Sequence, residues 1–536
     1  VQGVIPSGRI LRFHPLELAA MLLVMLSAIW LIPRFGPEQD ELLFVKPVFN
    51  SRIAHSTVTV FGKPLPLMLM SYLGAPKVYA YKIIFAIFPP SLWSLRLPPL
   101  LLLLGSALLV RAALLRLGHR TAAAAYFVLF LVSPSIIVTS VIDWGPVCLQ
   151  FALFGMVLYF LARASLKPEY KWFVLAGFFF GLGVWDKLTF FVCFAPPALL
   201  LLASVLWRLS RAKTIKLLAA TALAAALGMF PFIAAALQHK VHSVQQLQWE
   251  AEPFQSKFMM LSRSLAGTVL TGSLTSRDGY ADAVEGSLPR LIARMTEAIM
   301  NWSGFDLWIL FAVAAFTIAI PGPTLRTRIL LTACFLLSWL AMAAFRNLGA
   351  SGHHTVLLHP VILLAFALAL QDGWRQPRLR PLCLLPAAVL LAANLVALTD
   401  FVFRVNNLPI PTAWSPAIAV AARAVAAGHS RNVFVDGWGL DSAVILFSRG
   451  RIWPREAISQ YWREEVTELD RECAARAVSE PDAIFFGFAP GRSMPPKGPA
   501  LLAEAARLNG LERIVTDEFK DRQGQPIVIL YRFHKP

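Results

Sequence analysis

PLELAAMLLVMLSAIWLIPRFGPEQDE, Pro15–Glu41, carries a long apolar run straight into the adjacent carboxylates Asp40 and Glu41. An apolar run of roughly 20 residues is long enough to cross a bilayer. It must cross as a helix, because backbone groups find no water in hydrocarbon. Leu100–Val110, Leu188–Trp207 and Leu217–Leu237 approach or reach that length. Composition agrees: the 536 residues are 57% hydrophobic and only 15% charged, with a mean hydropathy of +0.62. The class is a multi-span α-helical membrane protein.

The net charge of +18 does not mark a nucleic-acid binder. The excess sits in short loops between apolar runs: Arg116–Arg120, Arg163–Lys171, Arg208–Lys216, Arg326–Arg328 and Arg375–Arg380. That is the positive-inside pattern, which assigns these loops to the cytoplasm. Neither an RNA-binding aromatic motif nor zinc-finger spacing is present. Cys148, Cys193, Cys334, Cys383 and Cys473 lie far apart and form no paired framework, so redox and structural zinc roles are not expected.

The apolar runs give about eleven spans. They lie near 15–34, 95–116, 121–138, 146–163, 171–186, 188–207, 214–237, 305–321, 328–346, 355–371 and 381–399. The basic stretch Ser7–Arg12 before the first span reads as a cytoplasmic N-terminus on an uncleaved span. An odd count then puts the C-terminal segment outside. The expected organisation is a transmembrane part over 1–404 with outward loops 35–94 and 238–304, followed by an extracytoplasmic α/β domain over 405–536. Loop 35–94 is expected to hold short helices on the membrane surface. In loop 238–304, Leu288, Leu291, Ile292, Met295 and Ile299 recur at helical spacing, as in an interfacial amphipathic helix, and Thr271–Ser287 reads as a lid. In the C-terminal part, Asn432–Val435 and Ala483–Phe486 read as strands, Leu440–Ser448 and Ser459–Val478 as helices, and Glu512–Thr516 with Ile527–Tyr531 as a hairpin. Gly177, Gly181 and Gly183 read as tight helix packing.

Topology brings Asp40, Glu41 and Asp143 to the same face, in the first two outward loops. A carboxylate at a semi-dry interface suits a general base; the plainer alternative is a solvated loop charge. Lys63, Lys77, Lys82 and Arg96 break the positive-inside pattern on that face and fit a phosphate partner. For Lys77 and Lys82, snorkelling to lipid headgroups explains the charge equally well; Lys63, between Gly62 and Pro64, is the stronger candidate. Asp186 and Lys187 interrupt the apolar flow between two spans, either neutralising each other or serving a substrate. His353 and His354, with His359 beyond, sit at the outer start of a span; their spacing matches no zinc set and favours contact with a phosphate.

FGKPLPLML (Phe61–Leu69), SLWSLRLPPLLLLLGSALLV (Ser91–Val110), SPSIIVTSVIDWGPVCLQFALF (Ser133–Phe154), GLGVWDKLTFF (Gly181–Phe191) and HHTVLLHPVILL (His353–Leu364) occur in an order that resembles the GT-C glycosyltransferases. The likeness is to the branch of protein O-mannosyltransferases and the bacterial lipid A aminoarabinose transferase, over about 10–400. Lys-Pro-Pro of that family is Lys63-Pro64-Leu65 here, and histidines replace its late tyrosines. The resemblance implies a GT-C-like membrane fold and a polyprenyl-phosphate sugar donor. It further implies that Asp40 activates the acceptor, assisted by Asp143, and that Lys63, Arg96 and His354 steady the leaving phosphate. Lys187 and His353 join the donor-side candidates. With no Asp-x-Asp in the first loop, no divalent metal or other cofactor is expected. Acceptors in this class are glycolipid, glycan or protein, the other partners are membrane lipids, and the location is the inner membrane.

The rival reading is a secondary transporter or flippase without covalent chemistry. It would place charged residues at the bilayer midplane and broken helices in matched halves. Here the acids cluster at one edge.

Overall fold

The computed structural model describes residues 12–238, 254–275, 279–302, 304–345, 348–428, 432–459, 465–492 and 497–536. The basic stretch Ser7–Arg12 falls almost wholly outside them. The first span is the helix Pro15–Leu31, opened by a reciprocal cap in which the Glu17 carboxylate accepts the His14 amide at 2.7 Å. Glu17 is tolerated in an apolar helix because Arg111, on the long helix Leu92–Arg116, pairs with it inside the protein.

By length and composition, seven helices can cross a membrane, or up to ten if each bent pair counts as one span. The bent pairs are Arg120–Leu131 with Pro134–Val141, Arg211–Gly228 with Phe230–Leu237, and Ser287–Met300 with Phe305–Ala319. The difference from eleven is the helix Tyr170–Asp186, whose 17 residues fall just short of that length. That helix meets Arg211–Gly228 face to face. A β-carbon on Gly177 would stand 2.3 Å from the Thr221 carbonyl, and one on Gly181 2.0 Å from that of Ala225. Small residues there are what lets two backbones touch.

Two of the segments between spans hold more structure than expected. Loop 35–94 carries short helices, but also a three-stranded antiparallel sheet: β1 (Ser56–Val60), β2 (Lys63–Met70) and β3 (Leu73–Gly74), ordered β1-β2-β3. The tip Phe61-Gly62 has positive φ at both residues, +48° and +74°, the geometry of a type I′ turn. In the stretch read as a lid, Thr268–Leu274 is helical and buried Tyr280 donates to Asp400 at 2.7 Å; residues 276–278 lie outside the described set. The amphipathic helix Ser287–Met300 is present, with Leu288, Leu291 and Met295 exposed along one face.

Past Asn407 the chain forms a sheet-containing unit. Strands β4 (Val433–Val435), β5 (Arg455–Glu456), β6 (Ile484–Phe488), β7 (Glu512–Lys520) and β8 (Pro526–His534) assemble in the order β5-β4-β6-β8-β7. β4 runs parallel to β5 and β6, while β8 is antiparallel to β6 and β7. The charged helix spans Glu468–Ser479, shorter than Ser459–Val478; residues 460–464 of that stretch are outside the described set. This unit shares one apolar core with loop 35–94, where Leu42, Phe44 and Val45 meet Ile418, Val444 and Leu446. The closest seam is Gly36, whose amide donates to the Trp414 carbonyl at 2.7 Å.

Candidate functional site

The site is built from the turn that ends the first span. Glu38 caps the one-turn helix Gln39–Leu42, its carboxylate accepting the Asp40 amide at 2.8 Å. One turn of helix fans successive side chains apart. Gln39 accepts from Ser442 of the C-terminal unit at 2.8 Å, Asp40 is half-buried, and Glu41 points inward. Burial pushes the Glu38 carboxyl up to about 8, and the neighbouring Asp40 charge adds to it. Burial also raises the Asp40 carboxyl above the ordinary aspartate range, and the Lys187 ammonium opposes that rise.

Glu41 is taken up by Arg96. The guanidinium grips both carboxylate oxygens, Nε to Oε1 at 2.7 Å and Nη2 to Oε2 at 2.9 Å. Its remaining N–H groups go to the carbonyls of Ile32, Phe35 and Gly36 at 2.7–2.8 Å. All five donors of the fork are thereby used, and Arg96 is 0% exposed. Arg96, expected beside a donor phosphate, and Glu41, expected to be catalytic, instead fasten the turn after the first span to the helix Leu92–Arg116.

The second acidic loop, Asp143-Trp144-Gly145, is held by Lys77 from the helix Pro76–Ile87. Lys77 Nζ donates to Asp143 Oδ2 at 2.9 Å and to the Gly145 carbonyl at 2.5 Å, while Asp143 Oδ1 accepts the Cys148 amide at 3.1 Å. Lys77 is therefore not snorkelling; it is buried and paired. Gly145 has φ +78°, and a β-carbon there would lie 3.8 Å from Lys187 Nζ. Two lysines thus flank one turn.

Lys187 is placed by the sheet. Leu73 of β3 bridges to it antiparallel, the Leu188 amide donates to the Tyr72 carbonyl at 3.2 Å, and Trp185 Nε1 donates to the Leu67 carbonyl at 2.8 Å. Among the described residues its ammonium has no hydrogen bond or ion pair. Its charge bears on Asp40, His353 and His354. The two imidazoles lie edge-to-face with centroids 4.2 Å apart. His353 Nδ1 is bonded to Ser351 Oγ at 2.7 Å, and His354 Nδ1 is buried with no partner among the described residues. Asp186 is fully buried, and among the described residues neither of its oxygens, nor Nε2 of Gln150, has a hydrogen-bond partner.

Asp40, Asp143, Lys187, His353 and His354 therefore share one electrostatic neighbourhood, although they come from four separate parts of the chain. Lys63 does not join them. It is exposed at the hairpin tip, paired with Val60, about 23 Å along β2 from Met70 at the usual strand rise. Sequence reading passed over three residues: Glu38, Tyr72, whose hydroxyl feels the Asp40 charge, and Lys77 as an ion-pair partner. A carboxylate at an N-cap three residues before Glu41 was the available signal for Glu38. Trp438 and Glu38 line one small crevice between the C-terminal unit and the first loop; Arg449 is exposed on a turn with φ +55°. Among the described residues no three His, Cys, Asp or Glu side chains gather as a metal site.

The chain combines a bundle of apolar helices with a C-terminal sheet-containing unit. Residues 76–233 match the family model described as dolichyl-phosphate-mannose-protein mannosyltransferase, a segment that contains Lys77, Asp143 and Lys187. The chain is similar in structure to ArnT from Cupriavidus metallidurans in the apo state. The TM-score is 0.54 and the identity 14%, with 96% of this chain and 97% of that chain covered. The same protein bound to undecaprenyl phosphate gives a TM-score of 0.52 and 15% identity, with the same coverage. At that identity the likeness establishes the fold. A search of curated protein sequences gave no match.

Proposed function

We propose that this chain is an integral membrane glycosyltransferase that moves a sugar from a polyprenyl-phosphate donor to a glycolipid, glycan or protein acceptor. The observation that carries the reading is the half-buried Asp40 facing the field of an otherwise unbonded Lys187 ammonium, next to His353 and His354. The similarity to the mannosyltransferase family over residues 76–233 supports it, as does the fold shared with an ArnT structure that holds undecaprenyl phosphate.

In this reading the acceptor hydroxyl or amine attacks the anomeric carbon while the bond from that carbon to the phosphate oxygen breaks. Asp40 takes the acceptor proton, and its raised affinity for protons suits it to the task. Lys187 and an imidazole N–H of His354 meet the charge that gathers on the departing polyprenyl phosphate. Asp143, locked by Lys77, holds the turn on which Lys187 rests. Direct displacement inverts the anomeric centre. The site opens on the extracytoplasmic side of the inner membrane, with the N-terminus cytoplasmic and the C-terminal unit outside, because the basic loops collect at the other end of the helices. Nucleotide sugars stay in the cytoplasm, so chemistry on the outer side calls for a lipid-carried donor.

The test is transfer of radiolabelled sugar from polyprenyl phosphate to an envelope extract by purified protein. Asp40→Asn is expected to lower transfer at least a hundredfold with folding intact. Full activity in that variant removes Asp40 from the mechanism, and substrate flux without covalent product in vesicles favours the transporter.

A further inference from the structure

A second cavity lies at the far end of the same helices. The helix Thr189–Leu206 starts beside Lys187 and ends at Trp207 and Arg208, which line this cavity. Its 18 residues separate the two places by about 27 Å. The cavity has a volume of about 620 Å³. Its wall is leucine-rich, with Leu114, Leu201, Leu331 and Leu368 from four different helices. Its polar edge is basic: His119 and Arg208 from two loops, and Arg326 from the first turn of the helix Leu325–Ala343, line the same cavity. Among the described residues no carboxylate lines it. Asp372, whose charge reaches His119, is buried and turns its Oδ2 to Arg328 at 3.3 Å and to the Thr324 amide at 2.9 Å. Among the described residues neither Arg208 nor Arg326 has an ion-pair partner. Trp207, 92% exposed, stands at the same edge, where the interfacial ring of a membrane protein belongs.

An apolar slot between helices with uncompensated arginines at its mouth matches one ligand chemistry: acyl chains below and a phosphate above. We propose that this cavity is a binding site for an anionic phospholipid of the leaflet opposite the Asp40 site. The headgroup phosphate lies on Arg208 and Arg326 and the acyl chains on the leucine wall. Arg meets a phosphate bidentately, so two of them fix a headgroup where one would only attract it. The inference is independent of the proposed transfer chemistry; only the name of the leaflet depends on it, and that reading makes it the cytoplasmic one.

Native mass spectrometry of the full-length protein, released from micelles containing phosphatidylglycerol and phosphatidylcholine with identical chains, tests this. Retention of phosphatidylglycerol on the order of tenfold above phosphatidylcholine is expected. R208Q/R326Q is expected to bring the ratio close to one, while R208K/R326K keeps most of it. Leu330→Trp, which fills the slot without touching charge, is expected to lower retention of both lipids. Equal retention of the two lipids by the unaltered protein overturns the proposal, and so does a preference that survives R208Q/R326Q. Displacement of phosphatidylglycerol by inorganic phosphate alone would assign the rim to a free anion and also overturns it. Loss of the lipid in Asp40→Asn would place it at the other end of the molecule, which overturns the proposal as well.

Discussion

At the scale of single residues, the site is a problem of opposing fields around Asp40. Burial raises its proton affinity and Lys187 lowers it. If Asp40 is the base, the acid limb of kcat/KM against pH lies above the ordinary aspartate value of about 3.9. Lys187→Met removes the opposing charge, so that limb is expected to move to still higher pH while kcat falls. An unmoved limb, measured by labelled-sugar transfer, would separate the two groups. Glu38 gives a stability prediction of definite sign. Its carboxyl rises from the ordinary 4.5 to about 8 in the folded protein. Between those values the unfolded chain has released a proton that the native chain still holds, so stability falls as pH rises through that window. Glu38→Gln keeps an oxygen for the Asp40 amide and has nothing to titrate. Its thermal unfolding midpoint is expected to be flatter across pH 4.5 to about 8 than that of the unaltered protein.

At the scale of elements, charge pairing decides which candidates are free to act. Glu41 and Arg96 are both buried and bonded to each other. Breaking such a pair from one side costs about 3–5 kcal/mol, because a buried charge is left uncompensated. Glu41→Gln is therefore expected to fail in thermal stability, whereas a role in chemistry alone would leave the unfolding midpoint untouched. Lys63 behaves oppositely. It stands exposed at the start of β2, so Lys63→Ala is expected to change transfer and stability by less than about 0.5 kcal/mol equivalent. The hairpin itself was hidden in sequence by Pro64 and Pro66, which argue against a strand. β3 pairs β2 only at Met68 and Met70, so the prolines occupy a stretch whose other edge is open and needs no donor. Phe61 pays a conformational penalty in the left-handed region at φ +48°. Phe61→Asn, the residue type I′ turns favour, is expected to raise stability by about 0.5–1 kcal/mol in chemical denaturation.

At the scale of the whole molecule, the C-terminal unit and loop 35–94 share a core and several polar ties, including Lys46 with Asp441 and Gln39 with Ser442. The tightest point is Gly36, where an added β-carbon would lie 2.0 Å from the Ser415 carbonyl. Gly36→Ala is expected to loosen this seam, increase proteolysis near 408–416 and lower transfer at least tenfold, because Asp40 lies four residues away on the same turn. Limited proteolysis compared with activity tests it; a variant with unaltered cleavage and rate would show that the seam does not position the site.

Hydrophobic length alone determined that the chain is a membrane bundle, since every run such as Pro15–Leu31 has no other stable place for its backbone. Short continuous apolar runs located β4, β6 and β8. Which acid meets which base was decided only by packing. Glu41 finds Arg96 from 55 residues away and Lys77 finds Asp143 from 66. A charge in a sequence carries its sign but not its neighbour, and burial makes the neighbour count most. For that reason Arg96 and Lys63, alike in the chain, end as a locked fastener and an exposed tip, while Lys187 is left facing Asp40.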